Sequence, residues 1–204
     1  MSEQEGVIKY ELVFQQTKPL TDHDYSSLSL WHSQFKRDKV LGQDPARYDG
    51  LGFGNISQRI GQHSFLISGT QTGCCDTLSP AEYALVTHAD IENNYIEAQG
   101  TSKPSSEALT HAAIYALNAN IRYVFHVHSP QLWNARDALP LPQTAADIPY
   151  GSPEMANEIK QLWAQGLFQQ GTILAMSGHK DGIIAFGSTA SEAGALILRL
   201  LAKA

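Results

Sequence analysis

Two histidines one residue apart, His126 and His128, end the apolar run Tyr123-Val-Phe-His-Val-His128. In a β-strand side chains alternate between faces, so both imidazoles would point the same way and could grip one cation, with Tyr123, Phe125 and Val127 turned to a core. Imidazoles in a strand also serve as plain hydrogen-bonded side chains, and the pair alone leaves both readings open. Two neighbouring segments add donor atoms. Upstream, Pro104-Ser-Ser-Glu107 opens a stretch in which Leu109, Ala112, Ala113, Ala116 and Leu117 fall at helical spacing, which puts Glu107 in the first turn of a helix running to about Asn118. A short turn at Asn120 and Arg122 then returns the chain antiparallel and brings the glutamate towards His126. Downstream, Ser177-Gly-His-Lys-Asp-Gly182 separates the apolar runs 172–176 and 183–186 and reads as a β-hairpin with His179 in its loop. One glutamate and three histidines suit a catalytic metal site, because a divalent cation on three imidazoles keeps a position for water or substrate.

Such a cation would bind a substrate's carbonyl and neighbouring hydroxyl oxygens, polarise the carbonyl, and stabilise the enediolate left when a carbon–carbon bond breaks or a proton departs. Glu107 would be a fourth ligand that substrate displaces, becoming the general base. Ligand type favours Zn2+ and leaves nickel, cobalt, manganese and iron open.

The remaining chain supplies the elements that must position these groups. Asp22 to Leu41, with Leu28, Trp31 and Phe35 on one side, predicts an amphipathic helix capped by Thr21 and ending at Gly42. Gly50-Leu-Gly-Phe-Gly-Asn55 is rich in glycine. A dinucleotide loop is excluded because a strand-like Ile56 to Ile60 follows where a helix should open. The glycines either let backbone N–H groups approach an anion or let the chain turn tightly. Phe65 to Ser68 reads as a buried strand feeding Gly69-Thr-Gln-Thr-Gly73. Ser152-Pro153 is a helix start for a segment through Met155, Ile159, Leu162 and Trp163, and Thr189-Ala-Ser-Glu192 is a capping box ahead of Ala195 to Leu201. Among the other histidines, His111 lies one helical turn after Glu107 and either contacts the site or packs.

Composition sets outer bounds. The 204 residues, 43% hydrophobic and 17% charged, suit one sizeable core, and a net charge of −6 offers no basic patch for nucleic acid. The acidic start, Met1-Ser-Glu-Gln-Glu-Gly, has neither the basic nor the apolar part of a secretion signal, and Ala193 to Ala202 falls short of the roughly 20 residues a membrane span needs, so no membrane role and a cytoplasmic location are expected. Cys74 and Cys75 are neighbours outside any Cys-x-x-Cys pair and are expected as free thiols.

Gly54-Asn-Ile-Ser57, Phe65-Leu-Ile-Ser-Gly-Thr70, Pro104-Ser-Ser-Glu107, His126-Val-His128 and a late histidine loop, in that order, resemble the class II aldolase/adducin superfamily over about Leu28 to Leu201. The 19-residue interval from Glu107 to His126 fits the same pattern. The resemblance implies a three-layer α/β/α sandwich with a central, largely antiparallel sheet. It implies one domain over residues 1–204, with 1–20 as an N-terminal extension, and assembly as a homo-oligomer, a tetramer with sites at subunit interfaces. The implied chemistry is metal-dependent, on sugar phosphates or related hydroxy-carbonyl compounds. Carried over by motif, Glu107 is the catalytic group, His126, His128 and His179 with Glu107 the metal ligands, and Asn55, Thr70, Ser105 and Ser106 the phosphate-binding residues. Physically, N–H groups at the start of the Glu107 helix beside two hydroxyls form an anion site at the positive end of a helix dipole; serine before a helix is also a common cap.

Branches of the family run aldol cleavage, pentulose-phosphate 4-epimerisation and methylthioribulose-phosphate dehydration on this site, and the aldolase-type lyase is the expectation. They differ in a second proton-handling residue, often a tyrosine from a neighbouring subunit or late in the chain; here no tyrosine follows Leu201, and Tyr150 and Asp147 are the candidates. Gly178-His-Lys-Asp-Gly182 also departs from the family's commoner double histidine. A non-catalytic domain of the adducin kind is the rival expectation, and four intact ligand positions favour the enzyme.

Overall fold

The computed structural model describes residues 6–168 and 171–204. In chain order its elements are β1 (Glu11–Gln16), α1 (Ser26–Arg37), β2 (Gly42–Gln43), β3 (Gly52–Phe53), β4 (Asn55–Arg59), β5 (Phe65–Ser68), β6 (Tyr83–Asp90), β7 (Tyr95–Gly100), α2 (Ala108–Leu117), β8 (Tyr123–His128), α3 (Pro130–Asn134), α4 (Pro153–Ala164), β9 (Ile173–Ala175), β10 (Gly182–Gly187) and α5 (Ala190–Leu201). Eight strands form one sheet in the order β1-β7-β6-β5-β4-β8-β10-β9, while β2 and β3 pair separately. Every adjacent pair in the large sheet is antiparallel except β1 with β7.

Helices cover both faces, so the central strands are apolar on both sides and read as continuous hydrophobic runs. On one side, α2 and α4 bury Ala108, Leu109, Tyr115, Met155 and Ile159 against Ile67, Val86, Val124 and Ile184. On the other, α1 and α5 bury Leu28, Trp31, Phe35, Leu196 and Ile197 against Ile56, Leu66, Phe125 and Ile183. The strand period of two sends Phe125 and Val127 to the second core and Val124 to the first. His126 and His128 share the parity of Val124 and therefore lie on the α2 side. The result is a three-layer α/β/α sandwich.

The strands and the starts of α4 and α5 follow their sequence signals closely. Ser152 caps α4 by accepting from Met155 N–H at 3.2 Å, with Pro153 at the first helical position. Thr189 caps α5 through Glu192 N–H, yet the Glu192 carboxylate reaches back chiefly to Ser188, whose N–H and hydroxyl each lie 2.8 Å from Oε2. Helix α1 is shorter than its periodicity predicts. Asp24 Oδ1 accepts from Ser26 N–H at 2.9 Å, so the helix opens four residues beyond Asp22 and Thr21 is not its cap. It ends at Arg37 because Lys39 turns left-handed, at φ 57°, and Val40 N–H folds back onto Phe35 O. The Leu28, Trp31 and Phe35 stripe is buried as expected. Cys74 and Cys75 are free thiols, and among the described residues no helix is long and apolar enough to cross a membrane.

Where α1 meets α5, Gly194 lies under the Trp31 indole so closely that an added Cβ would sit 2.3 Å from Trp31 Cε3. Alanine gains about 1 kcal/mol of helix propensity over glycine, but forcing a methyl into a filled core costs about 1–3 kcal/mol, and the Trp31 ring is packed against Phe35 and Phe125. Gly194→Ala is therefore expected to lower Tm by several degrees in a thermal melt; an unchanged or raised Tm would contradict this packing.

Candidate active site

His126 and His128 bring their Nε2 atoms to 3.0 Å. His126 Nδ1 faces Ile183 O at 3.2 Å, and because a carbonyl only accepts, Nδ1 carries the proton and Nε2 presents its lone pair. The β9–β10 hairpin delivers the third imidazole. Its turn is closed by His179 N–H to Met176 O and Gly182 N–H to His179 O, with Asp181 left-handed at φ 66°. The His179 ring then lies 4.7 Å from that of His128 and 5.3 Å from that of His126. Glu107, at the cap position of α2, enters from the helix layer and places Oε1 3.5 Å from His179 Nε2 and 3.9 Å from His126 Nε2. All four side chains are buried.

Burial strips water from the imidazolium form and holds the histidines neutral. His126 is pushed down to about 4 by burial, partly opposed by its bond to Ile183 O. His128 and His179 lie well below the usual histidine range, through burial first and then through the charges around them, Arg47 adding for His128 and Lys9 for His179. Neutral imidazoles are the form that ligates metal. One nitrogen from each ring falls within 4.8 Å of the others, a donor set compatible with one divalent cation.

A polar pocket adjoins this cluster, lined by Gly52, Gly54, Asn55, Gly69, Thr70, Gln71, Thr72, Gly73, Ser105 and Ser106. Its two loops are stitched together: Thr70 N–H bonds Lys103 O at 2.9 Å and Ser105 N–H bonds Ser68 O at 3.2 Å. Ser105 Oγ accepts from Glu107 N–H at 3.3 Å. Buried Asn55 leaves Oδ1 without a hydrogen-bond partner among the described residues, so its amide is available to a ligand in either orientation. Gly54 precedes it at φ 75°, where an added Cβ would press on His126 O at 3.0 Å. Asn55 pairs directly with His126 in the β4–β8 ladder, which joins the pocket to the histidine cluster.

The structure thus gathers Glu107, His126, His128 and His179 in one cluster and Asn55, Thr70, Ser105 and Ser106 in the pocket beside it. The two candidates for a second proton-handling group are placed differently from each other. Asp147 is exposed on the surface, whereas Tyr150 is buried beside the cluster, its ring tilted against that of His179 at 4.5 Å and its hydroxyl accepting from Val7 N–H at 3.1 Å. His111 is buried and packs, with Nδ1 2.7 Å from Ser57 Oγ, which also lies 2.7 Å from Tyr115 OH.

Sequence reasoning missed a supporting group around His128. The Tyr48 ring packs edge-on against it at 4.8 Å. The Tyr48 hydroxyl donates to Asp181 Oδ2 at 2.7 Å and accepts from Arg47 Nη2 at 2.9 Å, and Arg47 also reaches His128 O at 3.2 Å. These residues lie in loops and meet partners 81 and 133 positions away, so no local pattern marks them.

The fold recurs in solved structures. L-fuculose-1-phosphate aldolase from Thermus thermophilus superposes with a TM-score of 0.58 at 18% identity, covering 86% of this chain and 88% of that one. YgbL from Escherichia coli, whose assignment spans aldolase, epimerase and decarboxylase, gives 0.59 at 19% identity and covers 84% and 82%. Both are likenesses of fold. Comparison with curated protein sequences gives no match. The model of the Class II Aldolase and Adducin N-terminal domain matches residues 45–202, and the chain belongs to that family. Class II aldolases use divalent metals, and the three-histidine cluster is compatible with one.

Gly182 is the tightest point of the cluster. A Cβ there would lie 2.8 Å from His179 Cδ2 and 3.3 Å from His126 Cε1, wedged between two of the imidazoles. Gly182→Ala is expected to weaken Co2+ binding by roughly tenfold or more, the scale of disturbed ligand support, in a titration followed by visible absorbance. Parent-like affinity would show that the two rings need not stay this close.

Proposed function

We propose that this protein is a divalent-metal-dependent enzyme of aldolase type, cleaving a carbon–carbon bond in a small hydroxy-carbonyl compound that carries a phosphate. The meeting of Glu107 with His126, His128 and His179 in one buried cluster carries this reading. In it the three imidazoles hold the cation, zinc by preference because nitrogen ligands in this number suit it. When bound, that cation supplies Lewis-acid polarisation of a substrate carbonyl. Glu107 moves the proton at Oε1. It accepts it from the substrate hydroxyl whose carbon leaves as an aldehyde, and returns it to the carbon left electron-rich, so the cleavage is balanced without a further reagent.

Asn55, Thr70, Ser105 and Ser106 hold the phosphate in this proposal. Among the described residues no lysine or arginine lines their pocket, so recognition falls to N–H and hydroxyl donors at the start of α2, where the helix dipole favours negative charge. The sugar phosphate named for the Thermus thermophilus neighbour supports a substrate of that class. Burial of the cluster excludes water from the reacting carbons, which favours proton return over side reactions.

Metal analysis on protein purified without added metal is expected to find close to one equivalent of a transition metal, with His126→Ala falling below about a tenth. A parent chain already below a tenth would sink the proposal. In a screen of phosphorylated and unphosphorylated ketoses for aldehyde release, Glu107→Gln is expected to keep its metal and lose roughly 10²–10⁴-fold in turnover, the usual contribution of a positioned acid–base group. Undiminished turnover would remove Glu107 from the proton path.

A further inference from the structure

The segment ahead of β1 touches the polar pocket, the turn that carries Ser105 and the tyrosine beside His179. Gly6 lies against the Gln71 carboxamide, whose Oε1 accepts from Gly52 N–H at 3.0 Å across the polar pocket. Val7 N–H donates to the Tyr150 hydroxyl at 3.1 Å, and Lys9 Nζ donates to Tyr150 O at 3.0 Å while sitting 3.6 Å over the ring that stacks on His179. Tyr10 is buried, and its hydroxyl donates to Ser105 O at 2.8 Å. Burial, and then the charge of Glu107, push the Tyr10 hydroxyl far above the usual tyrosine range, so it stays a donor. Ser105 O takes a second bond from Ala108 N–H at 3.0 Å, so the turn carrying Ser105, Ser106 and Glu107 is pinned from both the helix and the N-terminal segment. The parallel ladder of β1 on β7, which ends at Gln16 opposite Gly100, anchors the segment.

We propose that Gly6 to Tyr10 form a wall of the active site, in which Tyr10 is the positioning residue for the anion-binding turn and Tyr150 for His179. This wall rests on the proposed function for its ligands, a phosphate on one side and a divalent cation on the other. Each tyrosine acts through a different neighbour, so the two substitutions have different signatures. A tyrosine that served only to fill the core would give neither.

The test uses the full chain, inorganic phosphate and Co2+. Y10F removes one hydroxyl and is expected to weaken phosphate binding about fivefold, the scale of one net hydrogen bond, with Co2+ affinity within twofold of the parent. Y150L removes the ring stacked on His179 and is expected to weaken Co2+ about tenfold while phosphate binding stays within twofold. Y10F binding phosphate as the parent does, or either variant losing both probes equally, would overturn the inference. Amide hydrogen exchange over residues 104–108, measured with no ligand present, reads the Tyr10 contact separately. A parent that bound neither probe would refute the proposed function, and exchange would then decide the wall: faster exchange in Y10F supports it, unchanged exchange overturns it.

Discussion

Three imidazoles and a carboxylate lie together where the protein has little water to offer them, and the architecture answers to that constraint. Removing such groups from water is costly unless they are neutral, hydrogen-bonded or paired with opposite charge. The fold meets this by drawing the four groups from three rigid supports. His126 and His128 come from a central strand with a ladder on either side, His179 from a hairpin closed by its own backbone, and Glu107 from the start of a helix packed on the sheet. No one of these elements contains the cluster, and a shift of any one would separate its donors.

Much of this is legible in the sequence because the relevant signals are local. The alternation around His126 and His128, the helical spacing after Glu107, and the paired apolar runs around His179 each describe one element, and each element is present at nearly the expected residues. The opening of α1 departs from its pattern because Asp24 competes with Thr21 for the first turn through a side-chain bond of its own. Tyr48, Arg47 and Asp181 escape the sequence for a different reason. Their roles depend on left-handed loop positions, at φ 50° for Tyr48 and 66° for Asp181, that bring together segments far apart in the chain. The N-terminal stretch before Thr21 reads in the sequence only as an extension, since a lone six-residue edge strand carries little pattern.

The ladder between β4 and β8 gives the site its second property. Asn55 and His126 are direct partners across that pair, so the polar pocket and the histidine cluster are held at a fixed separation by backbone hydrogen bonds rather than by side chains. A ligand spanning both regions is measured against a rigid interval. In the proposed function this makes the distance between phosphate and carbonyl a selected quantity, and it places discrimination among substrates in their chain length as much as in their chemistry.

The bonds that fasten Gly6 to Tyr10 join residues 95 and 143 positions apart, from Tyr10 to Ser105 and from Val7 to Tyr150. Contacts closing loops of that size are entropically expensive early in folding, when little else is fixed. During synthesis residues 6–10 emerge before the segments around Ser105 and Tyr150 on which they dock. The wall thus closes only once partners about a hundred or more positions further along the chain are in place, which ties this side of the cleft to the completion of the fold around it.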